Sequence, residues 1–154
     1  MAEKLVKSFG VYFIIFGCIT FIYNFATLIN NILIVTGKGA LYGSSTLQVM
    51  DWVIPGISFI GAILLFLAGL SVVRLKDNSV MMVLIASLTF MLKQILNLSE
   101  DIRAIIQSSP DSGYSGLLGY GVAFSISLHF FSLLFWVFVV IYFNRHAVKS
   151  LLKN

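Results

Sequence analysis

The sequence predicts an all-α integral membrane protein, a four-transmembrane-helix bundle with both termini in the cytoplasm (N-in/C-in). Three observations predict it. First, 59% of the 154 residues are apolar and only 10% are charged, against about 25% charged in a soluble domain. Second, the charges divide the chain into four long apolar runs, and a run of about 20 residues crosses a hydrocarbon core of about 30 Å. Third, Lys and Arg collect at alternate run ends, as membrane topology requires. The mean hydropathy of +1.00 agrees. The length suits a single four-helix domain over residues 1–154 and leaves no room for a soluble one.

Helix 1 is expected over residues 9–36, between Lys7 and Lys38. Lys4 and Lys7 resemble a signal-peptide n-region, but the uncharged stretch from Ser8 to Gly37 far exceeds the 7–15 residues of an h-region. It therefore reads as a retained anchor, which fits a bacterial inner membrane. Helix 2 is expected over 52–73, between Asp51 and Arg74. Its Ser58, Gly61, Ala62, Ala68 and Gly69 recur at helical spacing. Small residues let helices approach closely in lipid, where packing replaces the hydrophobic effect. Pro55-Gly56 reads as a helix start or a mild kink, with a gating hinge as the alternative; proline is tolerated in a first turn. Helix 3 is expected over 78–107 and is interrupted by Lys93; helix 4 is expected over 117–144. The connections are the Gly/Ser-containing loop 37–51, the tight turn RLKDN at 74–78, and the turn-rich segment 108–116 with Pro110 and Gly113. Tyr12, Trp52, Tyr120 and Tyr142 lie near run ends and suit interfacial belts.

Orientation follows from Lys and Arg. Lys4, Lys7, Arg74, Lys76, Arg145, Lys149 and Lys153 fall on one side, and Lys38 and Arg103 on the other. The richer side is the cytoplasmic one. The same placement explains the net charge of +4 without nucleic acid.

Polar residues inside the apolar runs carry the functional signal, because unpaired polar groups are costly in a bilayer. Thr20, Asn24, Thr27 and Asn31 share one face of helix 1, spaced by four, three and four. Thr89, Lys93, Asn97 and Glu100 do the same on helix 3, and Ser125, His129 and Ser132, followed by Trp136, on helix 4. At about 1.5 Å per residue, Asn24, Lys93 and His129 each lie roughly 22 Å from the cytoplasmic boundary and share a layer. Thr27, Asn97 and Ser125 come one turn farther out. The expectation is an outward-opening polar pocket of Asn24, Thr27, Asn31, Lys93, Asn97, Ser125 and His129. The inner half is expected to be dry, built from Phe13, Ile14, Ile15, Leu64, Leu65, Leu84, Phe135 and Val139.

Each member has a plainer reading. Lys93 can snorkel to the interface or pair with Glu100 or Asp101. His129 can relay protons, or sit neutral and hydrogen-bonded to Ser125 or Asn24. The asparagines serve as inter-helix hydrogen bonders. Glu100, Asp101 and Arg103 make a solvated helix end. Asn97-Leu98-Ser99 matches a glycosylation pattern too close to the membrane to be used.

The pattern argues against several activities. The single cysteine, Cys18, allows no internal disulfide. One intramembrane histidine is too few for a metal centre, and the other, His146, lies in the tail. No acid at its depth orients His129 toward Ser125, so the Ser125–His129 pair supports hydrolysis only weakly. No cofactor is expected. The expected partners are the lipid bilayer and other membrane proteins, or further copies of the chain. The leading expectation is a non-enzymatic accessory or structural subunit of a membrane assembly. The alternatives are a small oligomeric transporter or channel using the polar pocket, and a lipid- or quinone-binding protein.

Overall fold

In a computed structural model of the chain, residues 2–36, 48–107 and 115–152 are described. The loop at 37–47 with Lys38, the turn residues Pro110, Asp111 and Gly113, the side chain of Tyr120, and Lys153 lie outside them. The described residues are helical: α1 (Ala2–Val35), α2 (Met50–Val73), α3 (Ser79–Gln107), α4 (Ser115–Asn144) and α5 (His146–Leu151). The first four are long and apolar enough to cross a membrane.

Two boundaries differ from expectation. α1 begins seven residues early, because charges mark a membrane edge rather than a helix end. Its first turns are fully helical and carry a Lys7–Glu3 pair at 2.6 Å. The chain also continues past Asn144 into α5. Arg145 adopts an extended conformation (φ −63°, ψ 138°) that turns the chain, and Val148 and Leu152 fold back into the core beside Val6.

The helices pack in chain order, α1 on α2, α2 on α3 and α3 on α4. The buried positions of α1 are Val6, Gly10, Phe13, Gly17, Thr20, Asn24 and Asn31. On α4 they include Trp136, Val139 and Phe143, in line with Ser132 and His129. These spacings of three and four average 3.5, the period that keeps one stripe facing a neighbour in left-handed packing.

α1 and α2 approach most closely. A Cβ on Gly69 would lie 2.7 Å from the Gly10 carbonyl oxygen and 2.9 Å from the Ile14 nitrogen. A Cβ on Gly17 would meet the Ala62 oxygen and Phe66 nitrogen at 3.0 Å. The small-residue face of α2 is thus matched by two glycines seven apart on α1. Ser58, Gly61, Ala62, Ala68 and Gly69 are all buried, with Gly61 turned to Thr89 and Phe90 of α3.

The turn from α2 to α3 is held by backbone bonds. Leu75 N–H donates to Val72 O and Lys76 N–H to Ser71 O, both at 3.1 Å. This is the Schellman closure, which places the residue after the cap in the left-handed region. Leu75 occupies it with φ 51°, where glycine is usual. Its side chain packs against the core instead.

The half of the bundle nearest this turn is filled by rings. Phe90 stacks on Trp136 at 4.8 Å and 12°. Phe13 and Phe16 of α1 lie 6.4 and 6.2 Å from Trp136, and Phe9 contacts Tyr142 and Phe143. Of the expected dry-half residues, Phe13, Leu65 and Val139 are buried. Ile14, Leu64, Leu84 and Phe135 are half-buried. Ile15 is 55% exposed, because it stands two residues from the Phe13 position on a helix of 3.6 residues per turn.

Candidate functional site

Beyond the ring-filled half the interior turns polar, and the helix registers show which residues meet. Gly10 faces Gly69 and Val73, and Gly17 faces Ala62 and Phe66. Seven residues on, the antiparallel register brings Asn24 to the level of Ser58. Gly61 faces Thr89 and Phe90, which brings Ser58 to the level of Lys93 and Gln94. Gln94 bonds Ser132 across α3 and α4. Asn24, Ser58, Gln94 and Ser132, one from each helix, therefore share a layer one turn beyond the Phe90–Trp136 stack. Asn24, Ser58 and Gln94 are 3%, 1% and 7% exposed. The buried Ser58 hydroxyl has no hydrogen-bond partner among the described residues.

Gln94 is the residue that the sequence pattern missed. It is next to Lys93, and the rotation of one residue carries it from the edge of the stripe to the interior. Its Nε2 donates to Ser132 Oγ at 2.8 Å, and its Oε1 lies 2.7 Å from His129 Nδ1. His129 thus bonds Gln94, not Ser125 or Asn24. Lys93 is half-buried and forms no ion pair among the described residues, so the expected pairing with Glu100 or Asp101 is not seen. Glu100 instead lies 3.9 Å from Arg103.

Asp101 belongs to this cluster. Ser125 Oγ donates to its Oδ2 at 2.9 Å, and His129 Nε2 lies 3.7 Å from the same oxygen. By axial depth Asp101 is a turn too far out to reach His129. Helical side chains, however, lean toward their own N-terminus. α3 and α4 are antiparallel, so Asp101 leans inward, His129 leans outward, and the gap closes. Of the expected solvated helix end, Arg103 is exposed at 54%, whereas the Asp101 side chain is 22% exposed and turned to α4. An acid does face the histidine. Ser125 nevertheless donates to the carboxylate, so serine, histidine and acid do not form the relay that hydrolysis needs.

The polar residues of α1 are used differently. Asn24 Nδ2 donates to Thr20 O at 2.6 Å and Thr27 Oγ1 to Tyr23 O at 3.0 Å, both within α1. Asn31 Nδ2 crosses to α2 and donates to Asp51 O at 2.6 Å. That carbonyl is the one Pro55 leaves free. Pro55 lies inside α2 rather than in its first turn, and its missing N–H would have served the residue four before it. Asn31 supplies the lost donor, as neighbouring helices do for proline in apolar surroundings. Asn97 is half-buried on α3. Among the described residues no hydrogen bond joins the α1 stripe to the α3–α4 cluster. Of the seven expected pocket residues, Asn24, Thr27 and Asn31 bond to α1 or α2, and Ser125 and His129 bond to α3.

No cluster of three or more His, Cys, Asp or Glu able to hold a metal occurs among the described residues. Cys18 lines an apolar groove of about 360 Å³ between α1 and α2, with Phe21, Ile63 and Phe66. In comparisons with family models, curated proteins and solved structures, nothing matches this chain.

Proposed function

We propose that this protein is a non-enzymatic accessory or structural component of a membrane assembly. In this reading its termini and the RLKDN turn are cytoplasmic. The observation that carries it is the use of six polar groups at the helix interfaces. Gln94, His129, Ser125, Ser132, Asp101 and Asn31 bond one another or a neighbouring helix's backbone, while rings fill the other half. Such an interior ties helices together, and among the described residues it leaves a single chain no polar route from end to end. The orientation rests on the seven-to-two division of Lys and Arg.

Reconstitution into liposomes tests the reading, with ion and small-solute flux as readout. The expected result is silence for the wild type, and reduced abundance of the protein for Gln94→Leu. A solute-specific flux that Lys93→Leu abolishes at normal abundance overturns it. A second reading, binding of a lipid headgroup or a quinone, draws on the partial exposure of His129 and Asp101. Native mass spectrometry showing a retained molecule that His129→Leu releases would favour it.

A further inference from the structure

We infer that His129 and Asp101 together form a proton-binding site that joins α3 to α4. Gln94 donates through Nε2 to Ser132, so its Oε1 faces His129 Nδ1 at 2.7 Å as an acceptor. The other ring nitrogen faces Asp101 Oδ2 at 3.7 Å. Both nitrogens thus look at oxygen acceptors. A neutral imidazole carries one N–H and satisfies one of them, whereas an imidazolium has two N–H donors and satisfies both. With one proton added from solvent the ring bears a hydrogen on each nitrogen, faces the carboxylate through Nε2 as a charge-assisted donor, and the distance shortens to about 2.7–2.9 Å.

Loss of the proton has a structural consequence. The ring keeps its Nε2 hydrogen toward Asp101 and releases the one on Nδ1. Gln94 must then turn its amide over, donating through Nε2 to the ring and accepting from the Ser132 hydroxyl. Occupancy of the site is thereby tied to one side-chain rotation in the polar layer.

The charged groups of α3 beside the ring are Asp101, 3.7 Å from Nε2, and Lys93, the residue before Gln94. Lys93 opposes the added charge and Asp101 favours it. α4 carries no charged residue from Ser115 to Asn144, and α1 none from Ser8 to Thr36. On α2 the one carboxylate, Asp51, accepts from the Gln48 N–H.

The site is tested by nitrogen NMR of the full chain in micelles with labelled histidine. His146→Asn, an exposed change in α5, leaves His129 as the only histidine. The expected result is a ring protonated on both nitrogens at the acid end of about pH 5–9 and on Nε2 alone at the basic end. Asp101→Asn is expected to weaken proton binding roughly tenfold or more. Gln94→Glu, which puts a second carboxylate at Nδ1, is expected to strengthen it. A ring fixed in one neutral tautomer across the range overturns the inference. So does a titration midpoint that neither substitution moves.

Discussion

Replacing Asn31 tests whether its amide serves the carbonyl that Pro55 orphans. The bond from Asn31 Nδ2 to Asp51 O is 2.6 Å long and joins α1 to α2. Asn31→Leu removes the donor and leaves a carbonyl with no helical N–H partner. An unsatisfied polar group of this kind costs about 1–3 kcal/mol. Inter-helix hydrogen bonds in membrane proteins average about 0.6 kcal/mol, so a loss near 1 kcal/mol is expected. Pro55→Ala restores the N–H four residues beyond Asp51 and closes the helical bond. In that background Asn31→Leu is expected to cost only a few tenths of a kcal/mol. The difference is a coupling energy of about 1 kcal/mol, within the range for residues in one network. Equilibrium unfolding in mixed detergent and SDS micelles, followed by circular dichroism, measures all four corners of the cycle. An equal cost of Asn31→Leu with and without Pro55 refutes the reasoning.

Further outcomes follow from the same contacts, each read by unfolding in the same micelles. Gly69→Ala places a Cβ 2.7 Å from the Gly10 oxygen and is expected to lose about 1–3 kcal/mol by overpacking. Gly56→Ala, where nothing lies within 4 Å, is expected to be neutral or to gain up to about 1 kcal/mol from helix propensity. Trp136→Ala removes the ring stacked on Phe90 and is expected to cost about 3–5 kcal/mol. Thr27→Val deletes only a bond within α1 and is expected to change stability by less than about 0.5 kcal/mol.

The four long helices were legible because long apolar runs have few alternatives. The α1 stripe was half legible. Thr20, Asn24, Thr27 and Asn31 stand out as polar residues in an apolar run, but the stripe continues through Gly17, Phe13, Gly10 and Val6, where no change of polarity marks it. Continuing the 3.5 spacing backward would have found the two glycines that set the α1–α2 approach. Gln94 was hidden by its neighbour, since Lys93 draws attention to a face one residue away. Asp101 was misplaced because axial depth ignores the lean of side chains on antiparallel helices. α5 was missed because six residues carry too little periodicity, although Val148, Leu151 and Leu152 mark its buried side. The role of Pro55 depends on where α2 begins, and Asp51, read as a boundary, is already its second residue.

The central claim, that this bundle serves as a component of a larger membrane assembly, is tested most directly by its company. The tagged protein is purified from its native membrane in gentle detergent, and everything that co-elutes is measured by mass spectrometry. Partner proteins in fixed stoichiometry, retained when the detergent is exchanged, are the expected result. A homogeneous particle containing only this chain and lipid would contradict it.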